Sequence, residues 1–221
     1  MTDVRVVDDP AAAAAERLRE VAEAGGTIVL AGGSTPKRAY ELAADADWSR
    51  ATLLFGDERC VGPEDEESNY AMIRHALLER LAAPPAAVHR IPGEQGPEAA
   101  ARAYEEVLRD VGEFDLVLLG IGSDCHTASL FPGKPGIEVD DRMAVPVPVA
   151  GLEPYVPRVS LTVPALARGK EVVFLISGEG KREAVASSFG PDAGDTPAAR
   201  VAAAAPHAVV LLDPAAAEGL S

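Results

Sequence analysis

Short unbroken apolar runs alternate along this chain with longer stretches in which apolar residues return every three or four positions. Runs at residues 27–31, 51–56, 114–119, 171–177 and 208–212 have the length and branching of strands buried on both faces of a parallel sheet. Residues 4–7 and 158–163 are predicted as shorter strands, and 143–149 as an edge segment, because Pro146 and Pro148 cannot serve a central ladder. Between the runs, residues 11–24, 97–110 and 197–204 are predicted helices. So is a segment carrying Tyr70, Ile73, Leu77 and Leu81 on one stripe. A further helix is predicted from Gly178-Glu179-Gly180-Lys181 to about Phe189. Strands alternating with helices at this spacing predict an α/β fold, a doubly wound, mainly parallel sheet with helices on both faces. No internal repeat or linker divides the pattern, so residues 1–221 are expected to form a single domain.

Polar residues gather where apolar runs stop, and such ends face the edge of an open parallel sheet where ligands bind. After 27–31 comes Gly32-Gly33-Ser34-Thr35-Pro36, with Ser34 or Thr35 placed to cap a helix that has Pro36 in its first turn. This is either a phosphate seat made of exposed amides or a plain βα turn. After 51–56 stands Asp57-Glu58-Arg59, two carboxylates and a guanidinium suited to acid/base work or anion binding. After 114–119 comes the densest of these stretches, Gly120 to Gly133, with Asp124, His126, Thr127 and Ser129 close together before Pro132. Gly120-x-Gly122 imitates a dinucleotide fingerprint with Glu138 and Asp140 beyond it, but Cys125 occupies the place of the third glycine, and no cofactor is expected.

Composition adds a constraint. Among 221 residues, 35 are acidic and 20 basic, a formal net charge of −15, so nucleic acid and anionic membranes are repelled and an anionic ligand must be met by locally gathered cations. No apolar run approaches the ~20 residues of a membrane helix. Two cysteines, Cys60 and Cys125, are too few for a disulfide scaffold or a cysteine zinc site. A reducing cytoplasm and a monomer or small homo-oligomer are expected. HExxH, CxxC, calcium-loop and GxSxG patterns are all missing, so neither a metal nor a serine elbow is expected.

The stretch GIGSDCHTASLFPG resembles the signature of the 6-phosphogluconolactonases, G-x-G-x-D-G-H-T-A-S-L-F-P-G, with Cys125 as the one departure. Four further blocks resemble that family in its order: residues 30–36, 55–61, 158–162 and 177–181. The resemblance implies a phosphorylated sugar lactone as substrate and 6-phosphogluconolactone hydrolysis as the reaction. Histidine can take and return a proton near neutral pH, so His126 is expected to activate water and then protonate the leaving ring oxygen. Asp124 would cap the turn or orient the ring, and Asp57 is a second candidate. The resemblance implies that Arg59 lies near the reacting end and that Arg158 and Lys181 hold the substrate, with Gly32, Gly33, Ser34 and Thr35 contributing amides. Two rivals are an amino-sugar-phosphate isomerase/deaminase, whose motifs differ at Thr127 to Pro132 and Arg59, and a non-catalytic sugar-phosphate sensor. Glycine at the Cys125 position would mark positive φ or close ligand approach. The intact neighbours lead instead to the expectation that Cys125 is a buried apolar side chain with φ below zero.

Overall fold

Two tyrosine hydroxyls hold the backbone at the points where strands give way to the ligand-binding edge. In a computed structural model that describes residues 2–220, Tyr40 Oη accepts from Ala31 N and donates to Ala31 O, both at 2.8 Å. Tyr104 Oη does the same for Phe55, at 2.8 and 3.2 Å. Both rings are fully buried, so each satisfies a peptide that no ladder partner reaches.

The elements in order are β1 (Thr2–Val6), α1 (Pro10–Glu23), β2 (Thr27–Leu30), α2 (Ser34–Ala43), β3 (Thr52–Phe55), β4 (Asp57–Arg59), α3 (Asn69–Ala76) and β5 (Ala87–His89). They continue with α4 (Pro97–Asp110), β6 (Phe114–Leu119), β7 (Ala144–Val147), β8 (Arg158–Leu161), α5 (Val163–Leu166) and β9 (Gly169–Ile176). Last come α6 (Arg182–Phe189), α7 (Pro197–Ala204), β10 (Ala208–Leu212) and α8 (Pro214–Ala217). Seven strands form one parallel sheet in the order β1-β10-β9-β6-β2-β3-β5. The predicted doubly wound α/β sheet with helices on both faces is therefore present. From β2 the chain winds outward through β3 to β5, and from β6 the other way through β9 to β10. The topological switch lies between β2 and β6, where the loops leaving two adjacent strands must part and open a crevice.

The remaining strands make a second sheet that the sequence pattern did not foresee: β4-β8-β7, antiparallel throughout. Asp57-Glu58-Arg59, placed by the sequence at the end of the strand 51–56, is a short strand of it. Its register sets Asp57 against Ser160 and Arg59 against Arg158. The edge position expected for 143–149 holds, since β7 pairs only with β8. The stripe from Tyr70 to Leu81 is broken instead of continuous. α3 ends at Ala76, and a separate 3-10 turn spans Leu78–Arg80.

Candidate active site

Three loops at the carboxyl edge of the parallel sheet, after β2, β6 and β9, enclose with β4 and β8 a cleft of about 270 Å³ at the switch point. Gly32, Gly33, Ser34, Thr35, Asp57, Arg59, His126, Arg158 and Lys181 all line it. Of the residues given a catalytic or substrate-binding role from the sequence, Asp124 alone stands behind this lining, and from there its carboxylate reaches the histidine.

His126 is carried on a tight turn after β6. Gly122 N donates to His126 O at 2.8 Å, and Cys125 N to Gly122 O at 3.0 Å. Asp124 Oδ1 accepts from His126 N at 3.1 Å and lies 2.5 Å from His126 Nδ1. A carboxylate can only accept, so Nδ1 carries the proton and Nε2 is left as the basic nitrogen. Burial works against the Asp124 charge, but its bonds to His126 prevail and hold the carboxyl below its ordinary value. Gly122 is required here, because a Cβ would fall 2.1 Å from His126 Nδ1 and 2.6 Å from Asp124 Oδ1. The Phe131 ring supports the imidazole from 4.8 Å between centroids.

The expectation for Cys125 is overturned. Its φ is +69°, and Ala128 follows at +47°. The turn needs left-handed backbone on both sides of His126 to aim the ring at the cleft, and a cysteine occupies a position where glycine would be free of strain. Its thiol points away from the cleft, with Sγ 3.9 Å from Ala184 O, so the departure brings strain and not obstruction. The cap of α2 is also corrected. Gly33, with φ +106°, takes that place, Ser34 and Thr35 are helical, and no side chain caps the end. That leaves their amides free at a helix N-terminus.

The cations come from the antiparallel sheet and from the loop after β9. Arg59 and Arg158 are direct register partners, an arrangement in which like charges repel. Arg158 is 4% exposed and forms no ion pair among the described residues. Its guanidinium donates to Leu152 O at 3.2 Å and Pro154 O at 3.1 Å, and lies over the Phe131 ring. Burial pulls its pKa down from the ordinary value, with Asp57 opposing and Arg59 adding to the shift. The Nε atoms of Arg59 and Arg158 are both buried without a partner. Lys181 reaches the cleft from a 3-10 turn, Glu179–Lys181, that precedes α6.

Three residues that were assigned no role of their own from the sequence, Ser129, Asn69 and Glu58, complete the site. Asp57 accepts from Ser129 Oγ at 2.6 Å and from Asn69 Nδ2 at 3.1 Å, so its carboxylate is engaged by protein donors. Asn69 also packs against Gly32, where a Cβ would lie 2.1 Å from its Oδ1. Glu58, 3% exposed, accepts from Arg59 N, Ser68 Oγ, Asn69 N and Tyr70 N. Glu58 and Ser129 stood in the polar stretches noted at strand ends, whereas Asn69 was not singled out.

A histidine–aspartate pair shares a switch-point crevice with three cations, of which Arg59 is paired with Glu67 while Arg158 and Lys181 form no ion pair among the described residues, an arrangement with which an α/β protein can bind an anionic ligand and transfer a proton. The chain belongs to the family described as glucosamine-6-phosphate isomerases/6-phosphogluconolactonase, whose model matches residues 2–210. The 6-phosphogluconolactonase of Synechocystis is 40% identical over 187 residues, covering 79% of this chain and 76% of that protein. That of Nostoc is 39% identical over 180 residues, covering 76% and 73%. The solved 6-phosphogluconolactonase of Trypanosoma brucei superposes with a TM-score of 0.86 at 30% identity, covering all of this chain and 99% of that one. A monomeric glucosamine-6-phosphate deaminase also superposes, at 0.85 but 20% identity over 98% of each chain, which is a likeness of fold alone.

Proposed function

We propose that this chain is a hydrolase that opens 6-phospho-D-glucono-1,5-lactone to 6-phospho-D-gluconate in the oxidative pentose phosphate pathway, with His126 as the general base. The observation that carries the mechanism is the 2.5 Å His126–Asp124 pair set in a cleft with Arg59, Arg158 and Lys181. Asp124 fixes the tautomer, and Nε2 takes a proton from water as its oxygen attacks C1 of the lactone. The developing oxyanion is met by positive charge in a partly dehydrated cleft, where such interactions are strong. When the C1–O5 bond breaks, the histidine returns the proton to O5. Asp57 holds Ser129 and Asn69 in place instead of acting as the base. The phosphate is seated by Arg158, Lys181 and the free amides of Ser34 and Thr35. Two unpaired thiols suit a reducing cytoplasm.

The test is acid release from freshly generated lactone above the spontaneous rate, with and without a chelator. Loss of a general acid/base costs about 10² to 10⁴ in rate, so His126→Ala is expected to lower kcat by that order with KM little changed. Lys181→Ala should chiefly raise KM, and by a smaller factor as salt is added, because screening weakens the attraction that is lost. Near-normal turnover by His126→Ala would remove it from the mechanism. A rate abolished by chelation and restored by zinc would defeat the metal-free reading, and ammonia release from glucosamine 6-phosphate would replace the reaction itself.

A further inference from the structure

Lys181 belongs to a loop fastened on both sides to one short helix that contributes nothing to the cleft lining. On the amino side, Asp213 Oδ2 accepts from Ser177 Oγ at 2.5 Å and from Gly178 N at 2.8 Å. Gly178, at φ +97°, is where the chain leaves β9 and turns into the 3-10 turn, whose closing bond runs from Lys181 N to Gly178 O at 3.1 Å. The other oxygen of Asp213 accepts from Ala216 N at 2.8 Å and so caps α8. On the carboxyl side, Arg182 Nε donates to Ala215 O at 3.0 Å, and its guanidinium pairs with Glu218 at 2.8 Å. Gly219 packs directly on Arg182, where a Cβ would fall 2.1 Å from the Arg182 carbonyl oxygen.

From this arrangement we infer that Asp213 is a positioning residue for substrate binding: it fixes the backbone from which Lys181 projects and keeps the ammonium in the cleft. Lysine is a point charge on a flexible four-carbon stem, so its contribution to holding an anion depends on how well its root is immobilised. A single carboxylate oxygen shared by Ser177 and Gly178 removes the freedom of the residue pair at which the loop pivots. The carboxyl itself remains ionised. Burial acts against its charge, but the bonds from Ser177, Ala216 and Gly178 prevail and hold its value below the ordinary one. Asp213 is not among the residues that line the cleft, so its effect passes through the loop it holds, from Ser177 to Lys181.

The inference rests on the lactonase reading, and a double-mutant cycle separates the two. With wild-type activity established on the lactone, Asp213→Ala is expected to raise KM by roughly fivefold to twentyfold while kcat stays within about twofold. In a Lys181→Ala background the same change should move KM by less than about twofold, because residues that act as a unit are not additive. Independent, additive effects on KM would overturn the proposal, as would an Asp213→Ala enzyme with unchanged KM. If the alanine variant does not fold, Ser177→Ala removes the 2.5 Å bond and leaves the α8 cap intact. Its KM must then rise in the wild-type background and not in the Lys181→Ala background, and any other pattern rejects the coupling. Wild-type protein that fails to hydrolyse the lactone would defeat the functional reading alone; in that case the cycle is run on the affinity for 6-phosphogluconate measured by calorimetry, with the same criterion.

Discussion

Cys125 carries a side chain at a backbone angle, φ +69°, that the turn around His126 imposes. A left-handed conformation costs a residue with a Cβ about 1 to 2 kcal/mol, and glycine gives back about 0.4 to 1 kcal/mol of that through its freer unfolded state. Cys125→Gly is therefore expected to be as stable as the wild type or up to about 1 kcal/mol more so, with activity retained, since the thiol lies outside the cleft. Cys125→Val should lose more than about 1 kcal/mol, because a β-branched side chain fits positive φ poorly. Denaturant midpoints at constant slope check both. A glycine variant markedly less stable than the wild type would mean that packing near Ala184 outweighs the strain. At this scale the sequence was informative about chemistry and silent about conformation. His126, Asp124 and Arg59 could be named from residue type and position at strand ends, whereas the parts of Arg158 and Lys181 in holding the substrate were implied by the family resemblance. The φ of Cys125 belongs to a local turn that residue type does not report, and the bonds by which Ser129 and Asn69 engage Asp57 join separate segments of the chain.

Among the elements, β4 and α3 are fastened by one carboxylate. Glu58 accepts four hydrogen bonds, three of them from backbone amides that would otherwise be buried or left at a helix start. Replacing Glu58 by alanine leaves those donors unmatched, at about 1 to 3 kcal/mol for each buried group. A loss of at least 2 kcal/mol in unfolding free energy is expected on that arithmetic, together with reduced activity as Asn69 releases Asp57. A loss near zero would show that the amides find other partners. The long elements were legible because their apolar positions follow one period without interruption: 97–110 and 197–204 were predicted with the bounds observed for α4 and α7. β4 was not, because three charged or acidic residues carry no strand pattern, and its pairing with β8 spans a separation that local periodicity cannot report. The cap of α2 was assigned to Ser34 or Thr35 by residue preference, whereas the turn required a positive φ that Gly33 supplies.

Over the whole molecule, alternation of strands and helices implied a doubly wound sheet, but the order of its strands and the second sheet emerge only when the chain is assembled. The chain's formal net charge is −15, whereas the cleft lining holds Arg59, Arg158 and Lys181 against the one carboxylate of Asp57, so the charge balance of the cleft is opposite in sign to that of the chain. The site is also assembled from stretches that lie far apart in sequence, from Gly32 to Lys181. A ligand that touches them all ties the two sheets and the intervening loops into one thermodynamic unit, and the unfolded chain offers it no comparable site. Mass action then makes occupancy a form of stability. At a hundredfold excess over Kd, 6-phosphogluconate would add about 2.7 kcal/mol to the unfolding free energy, which for a chain of this size corresponds to a rise in Tm of about 5 to 10 °C. The rise should follow the logarithm of ligand concentration in a thermal melt and shrink when Lys181 is replaced. In a cell, the amount of folded protein would then follow the concentration of the sugar phosphate it binds.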